Sequence, residues 1–380
     1  MMIRLIVSII TIIVFSRNIF IEIEFPVYLY YSYFLFVFII SILKGGIKID
    51  RTMLYFIFWA IVSLVLNNVS PMFKAEERLL SFVVVVSSIS PFLNSSFLYS
   101  YKFRLINLMN LVIVYVVVIS FIGYLLSISS FTGRSGFNGL VNHSLLLGYM
   151  SGVSTIICFV NYLFSKQKID KIKYLFLILI SLLVCLISAS RTAFVSIIIS
   201  LFLMIYVHYK NKVMSIFKDL YVFIIIIFIS TPLWIKFSQN ILEKHIARSE
   251  GGSALSGRDI MWLDRLADFQ ESPFYGVGFA SMSNMFYSKF SDDGVVEPGS
   301  SWLFVLSTMG IVGLVLFSIM IFKPIWYVLH TSSNGALNLF VLGILSYCAL
   351  HMGTEGYVLS SGAFCFVYLW LCIGISKYVK

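Results

Sequence analysis

Long apolar runs that contain no charged residue constrain the fold of this chain more than any other feature. Three of them cover residues 111–126, 174–187 and 221–234. A helix needs about 20 mostly apolar residues to cross the hydrocarbon core of a bilayer. Only 12% of all residues are charged, well below the roughly 25% that is usual in soluble domains. The sequence therefore predicts an integral membrane protein.

The spans are predicted to be helices, because barrel strands alternate apolar and polar positions whereas these runs are apolar throughout. We expect an all-α fold with a single transmembrane domain over residues 1–380. The stretch 5–14 is not followed by a small-residue cleavage site, so it is expected to remain as the first span. The spans, about twelve in number, are 3–21, 25–43, 52–67, 79–97, 104–126, 139–164, 174–188, 192–208, 218–237, 301–322, 336–350 and 358–376.

Positive charge orients these spans. The formal net charge is +10, and the basic residues cluster in short loops. Placing the N-terminus in the cytoplasm puts nearly every basic cluster on the cytoplasmic side, as the positive-inside rule expects. Both termini are then predicted to be cytoplasmic and the long loop at 238–300 extracytoplasmic. Membrane topology explains the charge, so nucleic acid is not expected as a partner.

The long loop is predicted to contain a short amphipathic helix. Ser256 and Asp259 have the spacing of a capping box at a helix start, and Ser272-Pro273 marks its end. Helical spacing puts basic and aromatic side chains on one face and acids on another. The first set is Arg258, Trp262, Arg265 and Phe269, and the second is Asp264, Asp268 and Glu271.

Arginines on the predicted outer side are candidates for a functional site. Arg191 lies in a very short turn between two apolar runs, where charge is costly enough to suggest a function. Its alternative role is that of an anchor extending toward the lipid headgroups. Arg258 adds positive charge on the same side, and arginine is suited to bidentate recognition of phosphate. The pattern favours an anionic, lipid-linked substrate.

Five more polar residues are predicted to contribute to substrate binding. Arg134 is followed by Asn142 and His143 at the mouth of the next span, and Arg248 and Arg265 lie in the long loop. Four of the five have a simpler alternative. Arg134 would pair with loop acids, and Asn142 and His143 would form helix–helix hydrogen bonds. Arg265 would be a solvated partner of an aspartate on its own helix, with little energetic gain.

Carboxylates near the same predicted face are candidates for proton transfer. Glu297 precedes Pro298 where the chain enters a span. It would either complement the helix dipole or, if partly desolvated, have a raised pKa and act as a general base. His351 and Glu355, four residues apart at a helix end, could share a proton or a metal ion, but we do not assign them to the site.

Short motifs in a fixed order across residues 131–320 resemble the O-antigen polymerase and ligase superfamily, the Wzy-type and WaaL-type membrane glycosyltransferases. No motif is diagnostic alone, but their order around one long outer loop is specific, and the resemblance is to the Wzy-type polymerase. The motifs are Arg134-Ser135-Gly136-Phe137-Asn138, Asn142-His143, Ser190-Arg191-Thr192-Ala193, Gly257-Arg258 with Trp262, Ser272-Pro273-Phe274-Tyr275-Gly276-Val277-Gly278, Glu297-Pro298-Gly299-Ser300-Ser301-Trp302 and Thr308-Met309-Gly310-Ile311-Val312-Gly313.

The resemblance implies transfer of sugar chains carried on undecaprenyl diphosphate at the outer face of the bacterial inner membrane. It implies no nucleotide sugar, no cofactor and no metal. Arg191 and Arg258 would hold the diphosphate and stabilise charge on the leaving group. Glu297 is the third predicted catalytic residue. Donor and acceptor are both lipid-linked oligosaccharides, and a chain-length co-polymerase is an implied partner.

One departure from the family pattern favours a polymerase over a ligase. Ligases of the superfamily usually carry a histidine motif at the end of the long loop, where this sequence has Glu297-Pro298-Gly299-Ser300. The alternatives are an O-antigen ligase, a capsule or exopolysaccharide polymerase and, from another class, a flippase for lipid-linked oligosaccharides. Transporters commonly have repeated halves, and no convincing repeat is present here.

Overall fold

A computed structural model describes residues 2–19, 26–133, 136–210, 258–283, 297–331 and 335–379. This part of the chain is mostly helical and contains two short antiparallel strand pairs, Lys48–Ile49 with Leu93–Asn94 and Thr132–Gly133 with Gly136–Phe137. Its helices are α1 (Met2–Ser16), α2 (Val27–Lys44), α3 (Arg51–Leu66), α4 (Ala75–Ile89), α5 (Ser96–Leu125), α6 (Ser144–Phe164), α7 (Lys168–Ile187), α8 (Arg191–Tyr209), α9 (Arg258–Glu271), α10 (Ser301–His330), α11 (Ala336–His351) and α12 (Phe364–Ser376).

In the described part of the chain, five helices are long and apolar enough to cross a bilayer, namely α2, α5, α6, α8 and α10. Four shorter helices, α1, α3, α11 and α12, are also apolar. The protein is therefore an integral membrane protein with an all-α fold, as predicted. The count of twelve spans remains a prediction, and the expected span at 218–237 lies outside the described residues.

Several predicted boundaries are wrong by a turn or more. The span expected at 79–97 corresponds to a helix that ends at Ile89, because Ser90 precedes Pro91 and proline disfavours a helical conformation in the residue before it. The helix expected from residue 139 begins at Ser144, with His143 as its N-cap. The last helix begins at Phe364 rather than at 358.

Helix α10 is broken in its first half. Gly310 has φ 64° and ψ −169°, so the regular hydrogen-bond ladder is interrupted there. Two side chains of α3 satisfy the freed carbonyls: Ser63 Oγ donates to Thr308 O at 2.6 Å, and Trp59 Nε1 donates to Met309 O at 2.9 Å. Buried backbone carbonyls need such partners. The break is thus stabilised by a helix about 250 residues away in sequence.

The segment after α9 packs against this break. The backbone N–H of Ile311 donates to Pro273 O at 2.8 Å, and that of Val277 donates to Ser307 O at 2.9 Å. A Cβ on Gly310 would lie 2.7 Å from Tyr275 N, so only glycine allows the close approach. Two motifs that the sequence analysis treated separately therefore form one contact, and this contact fixes the C-terminal end of α9.

Candidate active site

A cavity of about 620 Å³ lies where several helix ends meet. The N-terminal ends of α6, α8 and α9 border it, together with the residue before Pro298 and the end of α11. It is lined by His143, Ser144, Leu145, Ala189, Ser190, Arg191, Thr192, Val195, Ser196, Arg258, Met261, Trp262, Glu297, Leu350, Thr354 and Glu355.

The turn between α7 and α8 positions Arg191. The turn is only three residues long, and Ala189 adopts a left-handed conformation with φ 54°, which is uncommon for a residue with a Cβ. Its backbone N–H donates to Leu186 O at 2.9 Å. Helix α6 packs so closely that a Cβ on Gly148 would lie 2.8 Å from Ser190 Oγ. Arg191, as the first residue of α8, is held at the cavity wall by this packing.

Arg258 forms an ion pair with Glu355 across the cavity. The two side chains are 23% and 18% exposed, so the pair is largely removed from solvent. Burial raises the pKa of the Glu355 carboxyl above its ordinary value. The Arg258 guanidinium acts in the opposite direction, and the negative charge of Glu297 raises the pKa further. The cavity therefore contains two interacting carboxylates and an arginine.

The start of α10 holds Glu355 in place. Ser301 Oγ donates to Glu355 O at 2.6 Å and accepts from Tyr357 N at 3.0 Å. Trp302 Nε1 donates to Ala349 O, at the end of α11, at 2.8 Å. The second half of the motif that begins at Glu297 is therefore structural. Ser301 and Trp302 form hydrogen bonds with the backbone on both sides of Glu355.

Two further contacts close the cavity wall. Trp262 Nε1 of α9 donates to Gly299 O at 3.1 Å, which brings Arg258 and Glu297 to the same wall. Thr354 Oγ1 donates to Thr192 Oγ1 at 2.8 Å, so the residue before Glu355 is bonded to the residue after Arg191. The predicted catalytic residues are therefore linked through short contacts, although they come from distant parts of the sequence.

His143 lines the cavity, but Asn142 does not. His143 Nδ1 accepts from Leu145 N at 3.1 Å, so the neutral imidazole carries its proton on Nε2. Asn142 is turned toward the end of α1, where its backbone N–H donates to Asn18 O at 3.1 Å and its side chain donates to Arg17 O at 3.4 Å. Asn142 is exposed, and its contacts link the segment before α6 to the residues that follow α1.

Arg265 is buried beside Asp268 and does not line the cavity. Its side chain is 2% exposed, and Nη2 lies 3.1 Å from a carboxylate oxygen of Asp268, which is fully buried. Asp268 also accepts from Ser283 N at 3.1 Å. Burial lowers the pKa of Arg265 and raises that of Asp268 to about 6, although each charge opposes the shift of the other.

The predicted division of α9 into a basic and an acidic face is therefore wrong. Asp264, Arg265 and Asp268 form one buried stripe, and Arg265 does not line the cavity. Spacing along a helix does not show what covers each side chain, and Asp268 is covered where the backbone N–H of Ser283, after α9, donates to it. The helix does end at Glu271, directly before Ser272-Pro273, as predicted.

Of the eight predicted site residues, the structure brings four to the cavity: His143, Arg191, Arg258 and Glu297. Arg134 and Arg248 lie outside the described residues, as does the predicted cap Ser256. Glu355 was not among the predicted site residues. The sequence pattern that could have indicated it is an acidic residue next to the end of an apolar helix. His351, its proposed partner, is instead buried among Tyr149, Tyr347 and Tyr357.

The cavity is suited to an anion and to proton transfer beside it. Helix N-termini carry partial positive charge, and those of α6 and α8 meet here with Arg191 and Arg258. Arginine and helix N-termini are both common in sites that bind phosphate groups. Glu297 is exposed at the cavity and can accept a proton from a molecule bound there.

Part of the chain matches a known protein family. Residues 176–318 match a family described as O-antigen ligase. The matched region begins within α7 and ends within α10, and it includes Arg191, Arg258 and Glu297. His143 and Glu355 lie outside it. No curated protein matches the chain.

Proposed function

Because the chain belongs to the superfamily of O-antigen polymerases and ligases, we propose that it polymerises oligosaccharide repeat units carried on a polyprenyl diphosphate. The growing chain leaves its own lipid carrier and is joined to the next lipid-linked repeat unit. The reaction takes place at the outer face of the bacterial inner membrane. It is a glycosyl transfer with undecaprenyl-diphosphate-linked donor and acceptor, and the product is O-antigen or a related surface polysaccharide.

The observation that carries this proposal is the meeting of Arg191 and Arg258 at one cavity beside the N-termini of α6 and α8. When the bond between the donor sugar and the diphosphate breaks, the electron pair stays on the diphosphate oxygen. Positive groups that are already in place stabilise this charge without reorganising. Arg191, at the start of α8, and Arg258, at the start of α9, approach the same space from two sides.

Proton transfer is assigned to Glu297. The acceptor hydroxyl attacks the anomeric carbon of the donor, and a carboxylate within reach takes up its proton. Glu297 is exposed at the cavity, whereas the Glu355 carboxylate forms an ion pair with Arg258. We therefore assign Glu355 the task of orienting the Arg258 guanidinium. His143, at the start of α6, would contact the sugar or the diphosphate.

The second candidate function is that of an O-antigen ligase, the activity by which the matching family is described. The two reactions share a donor and differ in the acceptor. The proposal favours the polymerase because Glu297-Pro298-Gly299-Ser300 stands where ligases of the superfamily usually carry a histidine motif. A chain-length co-polymerase is the proposed protein partner.

The test is the gel profile of surface polysaccharide from a strain that lacks this gene. Without the gene, we expect a lipid core with at most one repeat unit. Wild type should restore the ladder, and Arg191→Ala should not, at equal protein level. Loss of every repeat, including the first, would point to a ligase or a flippase. An unchanged ladder would exclude O-antigen and leave capsule or exopolysaccharide.

A further inference from the structure

A second cavity, of about 310 Å³, lies at the other end of the connection between α11 and α12. Glu355, near the start of this connection, borders the first cavity, and the residues near its end border the second. The second cavity is lined by Arg78, Ala280, Phe304, Leu359, Ser360, Ser361, Gly362 and Ala363. These lining residues, all in the described part of the chain, include an arginine and two serines but no carboxylate.

Two arginines give this cavity its positive charge. Arg78, in the first turn of α4, donates to Ala280 O at 3.2 Å and forms part of the wall. Arg17 lies directly behind Gly362, because its Nη1 is 3.5 Å from the position that a Cβ on Gly362 would occupy. This Nη1 is buried and has no hydrogen-bond partner within the described residues. A buried, unpaired donor of a charged group is costly.

The wall between these arginines is held by tyrosines of α2. Tyr30 Oη donates to Ser361 O at 2.6 Å, and Tyr31 Oη lies 3.1 Å from Ser361 Oγ. The guanidinium of Arg17 lies 5.0 Å above the ring of Tyr30, in cation–π contact. The wall is thus built around Ser361, with Arg17 fixed by its aromatic neighbour and one of its donors without a hydrogen-bond partner among the described residues.

We propose that this second cavity binds a membrane-anchored diphosphate, and that this is the diphosphate of the acceptor lipid. The inference rests on the proposed polymerase function. The reaction then needs two lipid-linked substrates. The leaving diphosphate of the donor occupies the first cavity. The acceptor reacts at the end of its oligosaccharide that is remote from its lipid, so its own diphosphate must lie one repeat unit away.

The spacing of the two cavities suits this arrangement. Glu355 and Ser360 are separated by five residues, and that length of chain spans at most about 18 Å. This limit is comparable with the length of a short oligosaccharide. Arg78 lines the second cavity, Arg17 lies behind its wall, and the described lining residues include no carboxylate. The cavity is therefore suited to holding an anion and not to proton transfer. The two cavities therefore divide the tasks of reaction and anchoring.

Counting bound lipids tests the proposal without requiring turnover. Purified protein is incubated with undecaprenyl diphosphate, and native mass spectrometry counts the copies retained. We expect two copies on wild type, one on Arg78→Gln and on Arg17→Gln, and one on Arg191→Ala. Arg78→Lys, which keeps the positive charge, should retain two. The matched control Arg104→Gln removes an exposed arginine elsewhere and should also retain two.

Two outcomes would overturn the second site. One is retention of two copies by both Arg78→Gln and Arg17→Gln. The other is displacement of this copy by phosphatidylglycerol at equal concentration, which would make the cavity a site for a phospholipid headgroup. With lipid-linked repeat unit as substrate, Arg78→Gln should raise the acceptor KM by about 10-fold with kcat nearly unchanged. If wild type forms no polymer, the proposed polymerase function is refuted. The number of bound lipid copies still shows whether the second cavity binds a diphosphate.

Discussion

At the scale of single residues, the ion pair of Arg258 and Glu355 distinguishes the two carboxylates of the first cavity. A largely buried arginine without a partner would be costly, and Glu355 supplies the opposite charge. Because the serine and tryptophan after Gly299 hold the backbone around Glu355, its carboxylate presents the guanidinium in one orientation. Glu297, by contrast, is exposed at the cavity.

This difference predicts separate effects for the two carboxylates. Glu355→Gln should lower the rate of polymerisation by about 10-fold, because Arg258 loses its fixed orientation. Glu297→Gln should lower the rate by about 100-fold or more, because no positioned base then remains to take the acceptor proton. Rates of polymer formation by the purified variants give the answer. A larger loss in Glu355→Gln than in Glu297→Gln would make Glu355 the base.

At the scale of secondary-structure elements, close packing of α6 against the turn before α8 sets the position of Arg191. Gly148 faces Ser190, and there is no room for a side chain between them. The turn itself contains Ala189 with a positive φ, so it has little freedom to adjust. A displacement of this turn therefore moves the first residue of α8.

Gly148→Ala tests this dependence without removing any polar group. The added Cβ would push the turn away from α6, and we expect activity to fall on the order of 10- to 100-fold, because shifts of about 1 Å in a catalytic group have such effects. The matched control is Gly335→Ala, where the nearest atom to the added Cβ is 4.0 Å away. Ladder formation and protein level are compared in the deletion strain. Full activity of Gly148→Ala at wild-type protein level would show that the turn can move freely.

Features that depend on a local stretch of sequence were predictable, and features that depend on contacts between distant segments were not. Helices were predictable because each apolar run carries its own signal, and Arg191 was predictable because a charge at the membrane edge is costly. The break at Gly310 was not, since the groups that satisfy it belong to α3. Glu355 escaped assignment for a similar reason, because Arg258 is 97 residues away in sequence. Arg265 was misplaced because spacing along a helix does not reveal what covers it.

At the scale of the whole molecule, the cavity and the main basic cluster lie at opposite ends of α6. His143 and Ser144 border the cavity at its first turn, and Lys166 and Lys168 follow its last residue. A helix of 21 residues is about 30 Å long, similar to the thickness of the hydrocarbon core. The site and the basic loop therefore belong to opposite faces of the membrane.

The positive-inside rule then predicts which face is which. Glu77, next to Arg78 of the second cavity, and Lys166, in the basic loop, are both exposed. In spheroplasts treated with a membrane-impermeant maleimide, Glu77→Cys should be labelled directly. Lys166→Cys should be labelled only after the membrane is permeabilised. Wild type is the background control, because four of its five cysteines are buried and the fifth is partly so. The reverse pattern would put both cavities in the cytoplasm, where a reaction on exported lipid-linked sugars is impossible, and would refute the proposed function together with the orientation.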